Sequence, residues 1–424
     1  MDACPRPLGL PAWVWILLLA TALRVGAVAT QPMGVEIDGL GYWCMASSWV
    51  DGQGLVDNFG NRAFLNPGYA LFLAPLFALF GTHLAVAVYA NVVLGVLSVG
   101  LCYGLGRRLA GPRAGLLAAF LWAVYPHALV YGTYVAKENL QVPLLLGIVW
   151  AGWAWVHQPR RWSLGLLVGG LSGAMALVSA TGLVFGLFFA TWWVGGQVLR
   201  GIGRQAGTWK GALLWGIGFL LVVSPWMLRN QRVLGTWALN TNGGLNLLLG
   251  NRAEAEVNFK GLEGTGFQED WTRIRAEGGE VAANEAARTE AWMYIRAHPG
   301  KTLSRMGERW IAFWTPPRRV DRSLGTVEWG LRLVWWAQFL AMFAAALIAW
   351  RRPRIAGPVW ILLGLYAFAH APFFVMPRFQ LPAIPLLCVL TGVAMLAARR
   401  QNPELASPEL ANPELEPGKP PHSA

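Results

Sequence analysis

The sequence predicts an all-α polytopic membrane protein with about ten transmembrane helices. Three observations predict it. Of 424 residues, 55% are hydrophobic and only 13% charged, against about 25% charged in soluble domains. Apolar runs of about 20 residues, enough to cross a ~30 Å hydrocarbon core, recur along most of the chain, and mean hydropathy is +0.43. The basic residues crowd into alternate short connections between those runs.

In chain order the predicted spans are 11–29, 84–105, 113–132, 140–156, 163–178, 181–199, 211–228, 331–350, 356–375 and 380–398. The first has no clear small-residue cleavage site and more spans follow it, so it reads as a retained span rather than a signal peptide. Between alternate spans lie Arg107, Arg108 and Arg113, then Arg160 and Arg161, then Arg200, Arg204 and Lys210. Arg351, Arg352 and Arg354 follow, and finally Arg399 and Arg400. Those thirteen bases have no acid among them, whereas the opposite short loops hold Arg62, Lys137 and Arg378 with nearly all the acids of the membrane region. Cytoplasmic loops are the Lys- and Arg-rich ones, which puts both termini inside. The run 67–81 is about 14 residues and contains Pro75, too short to span. Counting it would place every arginine cluster outside, so it reads as a re-entrant or interfacial helix.

Four regions result. Residues 1–228 form an N-terminal transmembrane module with a first outer loop (30–66), where interfacial helices are expected, and the re-entrant segment (67–81). Residues 229–330 form a long periplasmic or extracellular loop region, with a helical pattern from about 281 to 297. Residues 331–400 hold the C-terminal transmembrane helices. Residues 401–424, with the repeat NPELA, SPELA, NPELE, read as a disordered cytoplasmic tail.

The net charge of +12 would suggest nucleic acid in a soluble protein; here topology accounts for it, and no nucleic-acid partner is expected. Cys4, Cys44, Cys102 and Cys388 have no paired spacing and six histidines are scattered, so neither a disulfide framework nor a metal site follows. The stretch 240–251, NTNGGLNLLLGN, lacks both G-x-G-x-x-G and the P-loop lysine, which excludes a nucleotide loop.

Of 22 acids, twelve lie in the long outer loop, four in the tail, and one is Asp2. Glu36, Asp38, Asp51, Asp57 and Glu138 remain, all expected outside and near the membrane surface, where ionisable groups mark function by default. Asp38 leads, with Tyr42 and Ala46 at i+4 and i+8 on one helix face; a helix cap is the blander reading of it. Glu138 is either a solvated pair with Lys137 or a substrate or metal contact. Arg378, in a rigid MPRF turn, suits a phosphate clamp. Arg24 and Arg229 are similar candidates, or else snorkel to headgroups.

At these residues the chain resembles the polyprenyl-phosphate-dependent glycosyltransferases of the GT-C fold. It is most similar to the bacterial group of protein O-mannosyltransferases and lipid A aminoarabinose transferases. The matching stretches are D-x-x-x-Y-x-x-x-A at Asp38, Tyr42 and Ala46 with Gly52 and Gly54, and NPGYALFLAPLFALFG from Asn66. They continue with YPHALVYGTYVAKENL around Glu138, PWMLRNQRVLGTWALNTNGGLNLLLGN from Pro225, and MPRFQLPAIPLL from Met376. The family's usual residues are replaced at Asn66, Lys137, Phe379 and Gln380. The resemblance covers nearly the whole chain up to about 398. It implies a GT-C-like fold, a polyprenyl-phosphate-linked sugar donor, an active site facing the periplasm or cell exterior, and Asp38 as the catalytic carboxylate. The acceptor class stays open among protein, lipid and glycan, with membrane lipids around the enzyme in the cytoplasmic membrane.

The chemistry this implies needs one acid and one or two cations. A phosphate leaves as a stable anion, so no protonating acid is required, unlike the two carboxylates of a glycosidase. Asp38 would take the acceptor hydroxyl proton as general base. Arg378 or Lys137 would stabilise the departing phosphate, and Glu138, Tyr42, Arg229 and Arg24 complete the expected donor phosphate and sugar contacts. No cofactor is certain from the sequence, and a divalent metal ion stays open. Were the acceptor itself a phosphate, Asp38 would orient substrate or hold a divalent metal ion, with Glu36 or Glu138 joining it. A polysaccharide polymerase or ligase is the alternative function, resting on arginines and histidine of the late loop. A secondary transporter ranks lower, because the spans carry almost no mid-membrane charge.

Overall fold

The computed structural model describes residues 10–35, 37–158, 161–199, 208–315 and 325–399. Glu36, Arg160, Arg200, Arg204, Arg400 and the tail from 401 lie outside the described residues.

The described residues are mostly helical. The chain opens with α1 (Ala12–Thr30), β1 (Gly34–Val35), α2 (Ile37–Val50), α3 (Gly68–Phe80) and α4 (Leu84–Ala110). Next come α5 (Pro112–Ala123), α6 (Pro126–Tyr131), β2 (Tyr134–Val135), α7 (Glu138–His157), α8 (Ser163–Val178) and α9 (Leu183–Leu199). The second half holds α10 (Thr208–Leu234), α11 (Gly243–Gly250), α12 (Phe267–Ala297), α13 (Pro299–Phe313), α14 (Gly325–Ile348), α15 (Pro353–His370) and α16 (Ile384–Arg399).

Among the described residues five helices are long and apolar enough to cross a membrane: Ala12–Thr30, Leu84–Ala110, Glu138–His157, Lys210–Leu234 and Arg332–Arg351. The chain is thus a multi-pass membrane protein. Of the other predicted spans, α8 has 16 residues, α9 has 17, α15 has 18 and α16 has 16. The span expected at 113–132 is divided into α5 and α6. Tyr125, just before Pro126, is extended at φ −70°, ψ 113°, because proline disfavours a helical residue in front of it. At 13 residues, α3 is about 20 Å long. The helical pattern near 281–297 belongs to a longer element, α12, which breaks at Gly279 with φ 76°.

Small residues set the closest packing. A Cβ at Gly169 on α8 would stand 2.0 Å from the Trp215 carbonyl oxygen of α10, and one at Gly165 would stand 2.3 Å from that of Gly211. The reverse approach is as tight, with Gly218 against the Leu166 carbonyl at 2.3 Å. Glycines at such spacing let two helix backbones touch, the usual device where lipid removes the hydrophobic drive between helices. The main core runs through α4, α5, α7, α9, α14, α15 and α16, with Trp155, Trp335, Phe185 and Leu387 fully buried. A second core joins α2 to α3 through Tyr42, Met45, Tyr69, Leu73 and Phe77.

Candidate active site

The site starts from a two-residue parallel pairing. Gly34 pairs with Tyr134 and Val35 with Val135, and the Gly34 N–H donates to the Thr133 carbonyl at 3.1 Å. Side chains then fix the α7 side of this bridge. Asn91 donates to the Tyr134 carbonyl at 2.8 Å and accepts from the Tyr69 hydroxyl at 2.8 Å. Immediately after the bridge, the chains turn into α2 and α7. Gly39 lies against Val135, with a notional Cβ only 2.1 Å from its carbonyl oxygen. A side chain there would push the first turn of α2, and Asp38 with it, away from α7.

The third component comes from the far end of the chain. Residues 377–380 form a 3-10 turn between α15 and α16. Gln380 is buried, and its amide donates to the carbonyls of Phe313 and of Thr315, the latter at 2.8 Å. The segment leading into the turn is stitched to the residues after α11. Val375 N–H donates to the Val257 carbonyl at 3.1 Å, Asn251 to the Pro372 carbonyl at 2.7 Å, and fully buried Arg309 to the carbonyls of Gly250 and Ala371.

These anchors aim Arg378 at both carboxylates. Its Nη2 donates to Asp38 Oδ2, and its Nε lies 3.7 Å from Glu138 Oε1. The three side chains differ in exposure: 38% for Asp38, 8% for Arg378 and 3% for Glu138. Neither carboxylate oxygen of Glu138 accepts a hydrogen bond. Buried Tyr42 packs edge-on against Tyr69 at 5.6 Å. Burial first, then the Asp38 and Glu138 charges, hold its phenol well above the usual range, so it stays protonated at neutral pH and can only be a neutral donor or acceptor.

Beside the cluster lies a cavity of about 220 Å³ with Lys137, Glu138, Asn242, Asn246, His370 and Phe379 in its walls. Carboxamides dominate its polar lining, and several are already tied in place. Asn240 donates to Asn66 at 2.7 Å, Asn66 to the Ala176 carbonyl at 2.8 Å, and Gln141 to the Tyr366 hydroxyl at 3.0 Å. Next to the same turn is an open groove of about 790 Å³ walled by Val257, Phe259, Ile311, Ala312, Val375 and Pro377.

Comparison with known proteins gives this geometry a context. Residues 65–228 match the family model of dolichyl-phosphate-mannose-protein mannosyltransferases. The archaeal oligosaccharyltransferase AglB from Archaeoglobus fulgidus, in complex with an inhibitory peptide and a dolichol-phosphate, aligns at TM-score 0.51 and 14% identity. That alignment covers 95% of this chain and 52% of AglB. The Archaeoglobus fulgidus oligosaccharyltransferase in complex with Zn and sulfate aligns at TM-score 0.53 and 16% identity, over 92% of this chain and 49% of that one. The fold resembles that of the GT-C glycosyltransferases. ArnT from Cupriavidus metallidurans bound to undecaprenyl phosphate aligns at TM-score 0.43 and 14% identity, over 93% and 79% of the two chains. No curated protein matches the chain by sequence. The chain spans about half the length of the oligosaccharyltransferases it matches.

Within this GT-C-like frame, the expected site residues separate into two groups. Asp38, Tyr42, Glu138 and Arg378 come together, and Lys137 lies in the cavity wall next to them. Arg24 and Arg229 are engaged elsewhere. Arg24 is buried, donating to the carbonyls of Ala20 and Ala123 at 3.3 and 3.4 Å. Arg229 donates to the Arg62 carbonyl at 2.8 Å and stacks on Trp226, 4.7 Å from the ring centroid. Asp57 is spoken for as well, accepting from the backbone of Phe59 and Asn61 and the Asn61 amide. Gln380 faces the end of α13 rather than the cluster, so this departure from the resembled pattern bears on the anchoring of the turn. Glu36 lies outside the described residues. Sequence reading misses the cavity's carboxamides Asn66, Gln141, Asn240, Asn242 and Asn246. For Asn240, Asn242 and Asn246 the one signal is the asparagine-rich 240–251 stretch, which lacks the nucleotide-loop motifs without announcing a polar wall.

Among the described residues the donor set does not suit a metal ion, and Glu36, expected to join Asp38 in one, lies outside them. Among the described residues no three His, Cys, Asp or Glu side chains converge. The guanidinium of Arg378 already holds the position between Asp38 and Glu138 that a dication would need.

Proposed function

We propose that this protein is a membrane glycosyltransferase. It moves a sugar from a polyprenyl-phosphate donor to an acceptor at the outer face of the cytoplasmic membrane, with Asp38 as general base. One observation carries the reading: a buried arginine links a half-exposed carboxylate to a buried one, beside a polar cavity and an apolar groove. The family-model match over 65–228 and the GT-C-like fold support it.

The parts divide the chemistry. The donor phosphate, leaving as an anion, binds Arg378 and Lys137, whose charges are fixed before reaction and so cost no reorganisation during it. The apolar groove next to Pro377 seats the isoprenoid chain. As the phosphate draws the guanidinium to itself, the Asp38 carboxylate is released to take the proton of the incoming acceptor hydroxyl. Tyr42 and Glu138 hold the carboxylate and the guanidinium in register. In this reading the chain crosses the membrane about ten times with both termini inside. Residues 30–66 and 229–330 lie outside, and 67–81 is re-entrant.

Asp38→Asn keeps the shape and removes the base. In membranes supplied with the donor lipid, this variant should lose transfer while its abundance stays that of wild type. Mass spectrometry of the deletion strain should show a polyprenyl-phosphate sugar accumulating and one acceptor lacking that sugar. Full transfer by Asp38→Asn overturns the assignment.

A further inference from the structure

We infer that a furrow between α4, α7 and α8, at the membrane face opposite the Asp38–Arg378–Glu138 cluster, binds one anionic phospholipid. Arg108 and Arg161 hold its phosphate, and one acyl chain lies along α7. The inference goes beyond the proposed function and does not rest on it.

Position comes from α7. This helix begins at Glu138, in the cluster, and runs 20 residues to His157. That is about 30 Å at 1.5 Å per residue, the thickness of the hydrocarbon core. Arg108 stands in the last turn of α4, and Arg161 lies in the turn between α7 and α8, where its N–H donates to the Gln158 carbonyl at 2.9 Å. Both therefore sit at the far end of α7 from the catalytic carboxylates. Half-exposed Trp162 follows, the residue type that settles at headgroup level.

Shape comes next. An open furrow of about 460 Å³ lies here, with Gly147, Ala151, Ala154 and Gln158 of α7 in its lining. Those four recur at i, i+4, i+7 and i+11 and so share one helix face. From Gly147 to Gln158 the helix rises about 16 Å, roughly half of the ~30 Å core and hence one leaflet. Leu167 and Leu171 of α8 and Trp150 of α7 complete the apolar part. Trp150 closes onto α4 because Gly104 has no side chain; a Cβ there would stand 2.7 Å from the indole ring. The polar members of the lining are Arg108, Gln158 and Arg161, all at the helix ends.

Charge selects the occupant. Between Asp57 and Glu254 the sequence holds one acid, Glu138, and that acid is at the other end of α7. Arginines that only fix topology need do no more than lie in a loop, whereas these two converge on one apolar furrow. A guanidinium fork matches a phosphate, and basic pockets between membrane helices recruit anionic headgroups. A zwitterionic headgroup would bring its own cation against both arginines, which disfavours it. The depth of one leaflet suits an acyl chain, which ends at the midplane, and not a polyprenyl chain, which continues past it.

The test titrates the purified full-length protein in detergent with phosphatidylglycerol, phosphatidylcholine and a polyprenyl phosphate, and counts adducts by native mass spectrometry. Phosphatidylglycerol should form a one-to-one adduct about tenfold or more tighter than phosphatidylcholine, each arginine near a headgroup being worth roughly fivefold. Arg108→Gln combined with Arg161→Gln should abolish that preference; both positions are exposed, so the core is untouched. Ala151→Phe keeps the arginines and fills the furrow, and it should lose the adduct itself. No preference in wild type, or a preference retained by both variants, overturns the site. A polyprenyl phosphate adduct tighter than that of phosphatidylglycerol, and lost with Arg108 and Arg161, overturns the phospholipid assignment. None of these outcomes bears on Asp38 or on sugar transfer, so this inference and the proposed function stand or fall separately.

Discussion

Asp38 and Glu138 are in register: each stands four residues beyond one half of the Gly34–Tyr134 pair, and Arg378 lies against both. A two-residue parallel bridge thereby converts two distant sequence positions into one constellation. How tightly that constellation is held can be measured one residue at a time.

Arg378→Lys keeps the positive charge and loses the planar fork that reaches two carboxylates at once. Transfer should fall about 10²–10³-fold, the usual loss for one transition-state charge stabiliser, measured as turnover at saturating donor in a reconstituted assay. Unchanged turnover would show that point charge alone suffices.

Gly39→Ala inserts a Cβ into the 2.1 Å gap above the Val135 carbonyl. The strain should lower stability by about 1–3 kcal/mol and depress transfer, although Gly39 itself carries no functional group. The thermal midpoint of the purified protein and its turnover should drop together. A variant with wild-type values of both would mean that α2 does not rest on β2.

Gln380→Leu removes the amide that ties the 377–380 turn to the end of α13, and leaves the Phe313 and Thr315 carbonyls short of a donor. A loss of about 1–3 kcal/mol is expected. The informative readout is KM for the lipid donor, which should rise as Arg378 loses its aim. A stability loss with unchanged KM would confine Gln380 to a structural role.

Glu280 predicts a pH dependence. On α12, it accepts from the Arg62 N–H at 3.3 and 3.2 Å and from the Ala63 N–H at 3.0 Å, holding the first loop. Burial raises its carboxyl above the usual 4.5, against the lowering by those N–H groups and with a further rise from Asp57. Between the unfolded and the raised folded value, the native protein binds more protons than the unfolded one. Its contribution to stability therefore grows as pH falls through the folded value and is complete below 4.5. The wild-type thermal midpoint should gain on that of Glu280→Gln between pH 7 and pH 5. A gap moving the other way rejects the sign.

Much of this architecture is legible in the chain itself. Hydropathy marks the helices, and the scarcity of acids outside the late loop and the tail narrows 22 candidates to five that include Asp38 and Glu138. Arg378 stands out as an isolated base in a proline-bounded turn. The β1–β2 bridge is not legible: two residues of pairing, a hundred positions apart, leave no periodicity to read. Nor are the partners of Arg24 and Arg229, since a backbone carbonyl has no signature in sequence. The division of 113–132 is foreshadowed by Pro126, but a run that is apolar on both sides of a proline reads as continuous.

Arg378 also has a place in time. The two carboxylates it joins are made early, at positions 38 and 138, and the arginine follows 240 residues after the second. During synthesis the nascent chain carries both carboxylates, with Lys137 beside Glu138, before the arginine that joins them is made. The turn before the last helix closes the trio. Under the proposed function, binding of an anionic donor thus waits for residue 378 to be made, and products terminated before it should be inert towards lipid-phosphate donors.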